Sequence, residues 1–505
     1  MPHVVTQSCC ADASCVHACP VNCIHPTPDE PDFGSAHMLY IDPDVCVDCG
    51  ACVGACPVGA IVPGDSLAPD QRDPIGPPAA LSGPDPTYPP PAPVPGLRRL
   101  EPGRGPLRVA IVGAGPAALY AADELLRQPG VEVTVFDRLA VPHGLARHGV
   151  APDHPRTRSV TDLFALIEAQ PGFEYRLGVE IGRDLTADQL AARHHAVIYA
   201  TGAGTDRPLD VPGSDLPGSM SATEVASWYN AHPDHVDTRV PLHHHRAVIV
   251  GNGNVALDVA RILVTPADSL ARTDISPTAL AALRGSRVRE VVVLGRRGPA
   301  HAAFTLPELV GLASRRDIDL RVQTPGAIDP DAGTDRQGRL LLDRLAEVAA
   351  RPPRAGSPRI VLRFQTAPVE ILGDERVEGL RVARTEPTAG EGGGRAAVIP
   401  GSEEVLSAGL VVRSVGYRGV PVPGVPFDPV TATIPHRAGR VLDRPGGDEV
   451  PGAYVVGWIK RGPRGFIGSN KTCARETVDA LLADADAGRL PGRARAGWPR
   501  PDLLG

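Results

Sequence analysis

Between Arg108 and Asp137 the chain passes through an apolar strand, a glycine turn, a helix and a second strand that ends in an acid. Few folds accept that order. Arg108-Val-Ala-Ile-Val112 is short and apolar enough for a buried parallel strand. Gly113-Ala-Gly115-Pro116-Ala-Ala118 follows, then a helical stretch to Leu125, then Val131-Glu-Val-Thr-Val-Phe136 and Asp137. This is the strand, G-x-G-x-x-A, helix, strand and acid of a dinucleotide-binding unit. Gly113 allows the tight turn, Gly115 lets backbone approach a pyrophosphate, and Ala118 packs helix on strand. The helix N-terminus that Pro116 opens holds the anion. Asp137, 24 positions after Gly113, is placed for a ribose diol. A purely structural glycine turn is the alternative, and the flanks on both sides argue against it.

A second fingerprint begins at Ala247-Val-Ile-Val250, with Gly251, Asn252, Gly253, Asn254, Val255 and Ala256 in the turn and a helix from Leu257 to Leu263. Its next strand, Glu290-Val-Val-Val-Leu294, follows a long insertion from Val264 to Arg289 and leads into Gly295-Arg296-Arg297. Where the first unit ends its second strand in an acid, this one places two guanidinium groups just beyond it. These suit a 2′-phosphate, so NADP is expected over NAD, the alternative being a solvated basic loop.

Nine of the ten cysteines lie in the first 56 residues, which in a protein of reducing surroundings means metal rather than disulfides. Cys46-x2-Cys49-x2-Cys52-x3-Cys56-Pro57 is the bacterial iron–sulfur run, whose fourth cysteine ligates the other cluster. A zinc site would show paired C-x2-C knuckles instead. Counting back from Cys19-Pro20 gives Cys9-x2-Asp12-x2-Cys15-x3-Cys19. Crossed ligation then assigns Cys46, Cys49, Cys52 and Cys19 to one [4Fe–4S] cluster. Cys9, Cys15 and Cys56 form a second site with Asp12 or nothing in the fourth place, which favours [3Fe–4S] or a labile [4Fe–4S]. Cys10 is a less well-spaced alternative to Cys9; Cys10 and Cys23 otherwise read as thiols packed near the clusters.

Residues 1–62 contain no Lys or Arg and seven acids, so they carry the whole net charge of −7. An acidic head on a neutral, Arg-rich body suggests electrostatic docking, and equally an acidic surface kept for solubility. Nothing points to nucleic acid. Pro63 to Pro95 holds 12 prolines in 33 residues and reads as a semi-extended linker. No run of 18 apolar residues exists, and the start lacks a charged, apolar leader, so a cytoplasmic protein without membrane insertion is expected. The expected fold is an α+β ferredoxin-like head on an α/β body with two Rossmann-like units.

Val141 to Pro155 is dense in Gly, Pro and His and reads as a cofactor-lining loop, and Thr201-Gly202 ends a strand where such sheets contact ligands. Gly457-Trp458-Ile-Lys-Arg-Gly-Pro-Arg-Gly465-Phe466-Ile467-Gly468 precedes a helix from Thr472 to Ala485 and suits a flavin edge and its phosphates. His243-His-His245 reads as a polar turn. Cys473, with no second cysteine in the body, excludes a disulfide-active flavoprotein.

Residues 1–62 resemble two-cluster bacterial ferredoxins, including the seven-iron kind. Residues 107–505 resemble the adrenodoxin reductase family of ferredoxin–NADP⁺ reductases, through the stretches at 112, 149, 251, 295, 416 and 457. The whole is similar to fusions of a ferredoxin to such a reductase. The resemblance implies a head over 1–62, a linker over 63–106, an FAD-binding domain over 107–205 and 411–505, and an NADP-binding domain over 206–410. It implies that Asp137, Leu145, Trp458, Gly465, Phe466 and Ile467 contact FAD. Asn252 to Ala256, Arg296, Arg297 and Glu308 are implied to contact NADP, with Gly465 near the nicotinamide. His154 and Glu224 are implied to sit by the flavin, although a loop histidine is more often a structural hydrogen-bond partner. The family usually shows Phe-Gly where His143-Gly144 and Arg147-His148-Gly149 stand.

NADPH delivers two electrons at once and iron–sulfur clusters take one, a mismatch that FAD bridges. The expectation is an NADPH:ferredoxin oxidoreductase with its own ferredoxin, reversible in principle, passing electrons to an acceptor such as a second ferredoxin or a cytochrome P450. Two alternatives are an NADPH-oxidising subunit of a larger reductase, similar to the glutamate-synthase small subunit, and a non-catalytic iron–sulfur redox sensor.

Overall fold

The computed structural model describes residues 3–30, 33, 36, 38–43, 45–67, 100, 106–333, 336–388 and 396–491. The proline-rich linker lies almost wholly outside the described residues. The head is a small antiparallel frame, in which strand His3–Val5 pairs with Ile61–Pro63 and Ile24–His25 with Tyr40–Ile41. Two short helices, Ser14–Ala18 and Ala51–Ala55, pack between them. So small a domain has little apolar surface to bury, and thiols enter its core: Cys15, Cys23 and Cys52 are buried with Val5, Val16, Ile24, Leu39 and Ile61.

The two helices are entered through the same backbone. Ala11 and Ala13 take φ of 53° and 59° ahead of the first helix, and Asp48 and Gly50 take 57° and 71° ahead of the second. Cys19 and Cys56 then end their helices in extended conformation. Asp12 therefore occupies in the first loop the place of Cys49 in the second.

In the body, the first fingerprint builds a seven-stranded sheet, ordered 436–437, 440–442, 449–455, 196–199, 107–112, 131–137, 173–177. Its central strands are parallel and buried on both sides, which explains the unbroken apolar run Val109 to Val112. The second fingerprint builds a six-stranded parallel sheet, ordered 219–221, 410–413, 246–250, 290–295, 359–364, 319–323. Strand Leu410–Arg413 lies in this second sheet, across the expected boundary at 410/411. The crossings between the two units run side by side, where Thr205–Asp206 pairs antiparallel with Tyr417–Arg418. The insertion after the second fingerprint helix folds into short helices, Ala267–Leu270 and Pro277–Arg284. Among the described residues no helix is long and apolar enough to cross a membrane.

Head and body share a core. Cys10, Val58 and Ala60 join the apolar cluster around the fingerprint helix Pro116–Leu126 and the final helix Ser469–Asp486.

Candidate redox site

The first turn is shaped for close backbone approach. Gly113 has φ of 102°, and a β-carbon there would stand 2.5 Å from Ala200 O. Gly115 has nothing within 4 Å on the side a β-carbon would fill, which leaves space for a phosphate over the helix start. Asp137 accepts from Ala114 N at 2.7 Å and from Leu139 N at 2.8 Å. Burial pushes its carboxyl upwards, against those two donors. Around this turn Gly144 lies so close that its β-carbon would be 3.0 Å from Gly115 Cα, and Leu145 beside it keeps an exposed apolar side chain. Gly457 presses on the fingerprint helix, 2.6 Å from Ala117 Cβ by the same measure. It starts the turn of Trp458, whose ring lies 5.5 Å from that of Tyr417 and whose Nε1 donates to Arg464 O. The hydroxyl of Thr201 is buried without a partner. A glycine cradle, an orphan hydroxyl and an exposed apolar wall at the strands' C-terminal ends fit a dinucleotide.

The second turn repeats the device. Gly251 has φ of 106°, and Gly253 again has open space at its β-position. Asn254 Oδ1 accepts from Thr305 N at 2.8 Å and so ties the turn to helix Leu306–Ala313, which carries Glu308. Arg296 and Arg297 are exposed at the strand end, their carbonyls held by Thr385 and Gln365. Neither guanidinium has an ion-pair partner among the described residues.

Sequence reasoning missed what joins the two units. Loop residue Asp153 receives a bidentate pair from Arg261, at 2.7 and 2.9 Å. His154 Nε2 lies 3.0 Å from Asp258, 3.2 Å from Glu308 and 2.6 Å from Arg261 Nη2. Asp258 and Arg261 are one turn apart on helix Asn254–Val264 and bond at 2.6 Å. With His154 protonated the group carries three carboxylates against two cations. Burial opposes that proton, yet Asp258 and Glu308 outweigh it and hold the imidazole up to about 10. Against its own burial, Arg261 and His154 hold Asp258 well below the usual carboxylate range. His154, Asp258 and Glu308 have ligand spacing for a metal ion, but Arg261 already supplies the cation there.

Glu224 stands apart from this group. It closes a capping box, accepting from Ser221 N at 2.6 Å while its own N–H donates to Ser221 Oγ. No hydrogen bond or ion pair joins it to His154 among the described residues. His244 turns back on Arg246 and belongs to no metal cluster among the described residues. Cys473 is a buried acceptor for Gly457 N at 3.3 Å.

In the head, Cys9, Cys10, Cys15, Cys56 and Asp12 lie near one another, and Cys52 has Cys46, Cys19 and Cys49 as its neighbours. Backbone N–H groups point at the sulfurs of Cys9, Cys19 and Cys56. Two thiolate groups wrapped by amide donors fit iron–sulfur clusters in donor type. Cys10 instead enters the core shared with the body, and Cys23 Sγ lies 3.4 Å from Cys19 Sγ. Cys49 is exposed, whereas Asp12 faces the body.

Known proteins share these features. Residues 107–294 match the pyridine nucleotide-disulphide oxidoreductase family and residues 39–62 the 4Fe-4S binding domain. A probable ferredoxin/ferredoxin–NADP reductase of Mycobacterium tuberculosis is 51% identical over 504 residues, covering 97% of this chain and 85% of its own. The chain belongs to the ferredoxin/ferredoxin–NADP reductase family. The body of this reductase is also similar to a solved structure of FprA from Mycobacterium tuberculosis in complex with NADPH. That likeness has 43% identity and a TM-score of 0.72, over 77% of this chain and 87% of that one. The mitochondrial NADPH:adrenodoxin oxidoreductase of Arabidopsis thaliana is 39% identical over 76% of this chain and 83% of its own.

Proposed function

We propose that this chain is an NADPH:ferredoxin oxidoreductase that takes a hydride from NADPH and passes single electrons through its own ferredoxin head to an external acceptor. The observation that carries this reading is the bond from Gly468 N to Cys10 O at 3.0 Å. It sets the head's cysteine loop directly after the segment Gly465–Ile467 assigned to the flavin. The relatives named ferredoxin/ferredoxin–NADP reductase and NADPH:adrenodoxin oxidoreductase support the same reading.

FAD is assigned to Gly113, Gly115, Pro116, Ala118, Asp137, Leu145, Trp458, Gly465, Phe466 and Ile467. NADP is assigned to the turn Gly251 to Ala256, with Arg296 and Arg297 on the 2′-phosphate and Glu308 at the far side. When bound, FAD supplies the conversion between two-electron and one-electron chemistry, and the clusters supply one-electron storage. The chain's own residues orient and screen. The turns fix each pyrophosphate, and the Arg261 group holds the two units in register. His154 keeps a proton at Nε2 near the flavin, while Glu224 rigidifies the helix that follows the crossing strand. The cluster of Cys19, Cys46, Cys49 and Cys52 is assigned as [4Fe–4S]. The site of Cys9, Cys15 and Cys56 has three thiolates, because Asp12 stands where a fourth cysteine would, and it is assigned as [3Fe–4S] or an oxygen-ligated [4Fe–4S]. The acceptor is a one-electron protein such as a second ferredoxin or a cytochrome P450, and nine cysteines crowded into iron–sulfur runs rather than disulfides support a cytoplasmic setting.

Steady-state assays test the reading. NADPH should drive both ferricyanide reduction, at the flavin, and cytochrome c reduction, through the head. Cytochrome c reduction that survives full iron removal would remove the head from the path.

A further inference from the structure

Three independent features meet at one corner of the head. Gly468 has an ordinary φ of −68°, yet a β-carbon there would overlap Asp12 N, Asp12 Cα and Cys10 O. Backbone lies directly on backbone. Lys471 donates to Ser14 Oγ at 2.6 Å and to Asp12 Oδ2 at 3.3 Å. Asp12, with its side chain only 5% exposed, otherwise accepts from Ser14 N at 3.1 Å and Ser14 Oγ at 2.6 Å. Tyr120, on the fingerprint helix and 2% exposed, has a hydroxyl without a partner, and its titratable neighbours include Cys10 and Asp12.

Asp12 holds the loop position that Cys49 holds in the second half. Asp12 is bonded to three donors, one of them across the junction, so the fourth position of this site and the junction share one carboxylate. The head also reaches the second unit, where Gln7 lies against Gly311 of helix Leu306–Ala313. On the far side Cys49 stays exposed beside Val47, which is 59% exposed.

We propose that Lys471 and Asp12 form a docking clamp that seats the Cys9, Cys15 and Cys56 site against the flavin side of the body. That site is then the first acceptor in the head, and the Cys19, Cys46, Cys49 and Cys52 site is the outward donor. Each crossing moves one electron, oxidising the flavin by one and reducing the inner cluster by one. NADPH supplies two electrons per hydride, and no bond is made or broken at the junction. The proposal rests on the oxidoreductase reading above.

The test uses the full-length holo-protein under anaerobic conditions, comparing wild type with Lys471→Glu and with Gly468→Ala. Stopped-flow mixing with NADPH reads flavin bleaching, freeze-quench EPR reads each cluster, and hydrogen exchange reads the amides of Asp12 to Ser14. The clamp predicts flavin bleaching within twofold of wild type in Lys471→Glu, the variant outside the flavin segment. It also predicts cluster reduction slowed at least tenfold and faster exchange at those amides. In wild type the Cys9-side signal changes before the Cys49-side signal. Undisturbed amides in both variants, or deprotected amides with cluster reduction at the wild-type rate, overturn the clamp. The reverse order of signals overturns the assignment of the first acceptor. Wild-type clusters that NADPH never reduces would instead sink the oxidoreductase reading, with hydrogen exchange still deciding the clamp.

Discussion

His154 shows how a single side chain depends on distant partners. Its raised imidazole comes from Asp258 and Glu308, which the sequence places 104 and 154 positions away. A histidine whose folded value is raised stabilises fully below its unfolded value of about 6.5. That contribution is lost as pH climbs towards about 10. The expected result is a flavin-release midpoint that declines between those two limits in wild type and stays flatter in His154→Gln. The difference is on the order of 2 kcal/mol, discounted for partial exposure. A wild-type profile that is flat over this window contradicts a charged His154. The adjacent Arg261 pairs are almost fully buried, and Arg261→Met leaves three carboxylates unbalanced. It should cost about 3–5 kcal/mol in a thermal melt of the holo-protein.

At the scale of elements, both fingerprints were legible because their information is local. A short apolar run, glycines at fixed offsets and a following helix are written within about thirty residues. The cysteine runs were legible for the same reason, and the shared backbone of the two loops follows their spacing. What escaped was contact between remote segments. Asp153 and Arg261 are 108 positions apart, and Lys471 and Asp12 are 459 apart. No periodicity carries such pairings. Glu224 is different, because Ser221-x-x-Glu224 is a capping box that the local sequence itself spells out. The boundary at 410/411 is what the family resemblance implies, whereas Leu410–Arg413 pairs with Arg246–Val250 in the second sheet. The loop of Arg296 and Arg297 yields a prediction of its own. Each charge-assisted contact to a 2′-phosphate is worth about 1.5–3 kcal/mol. Arg296→Ser with Arg297→Ser should therefore raise KM for NADPH by about 100-fold or more in ferricyanide assays and leave KM for NADH within about threefold. Equal loss with both nucleotides contradicts the assignment.

Across the whole molecule, charge and shape give the head a direction. All of the net charge of −7 sits in residues 1–62, and the cation that meets it, Lys471, belongs to the final helix. The inner thiolate site faces the body and the outer one faces solvent at Cys49. Replacing an outer ligand, as in Cys49→Ser, should leave the inner cluster reducible by NADPH and abolish most reduction of cytochrome c. An inner cluster that also stays oxidised in this variant contradicts the order of transfer. The central claim is that the head is an internal electron acceptor, and an anaerobic NADPH titration followed by absorbance and low-temperature EPR tests it most directly. The account predicts that cluster signals change in step with flavin bleaching. Complete flavin reduction by excess NADPH with both clusters still oxidised would contradict it.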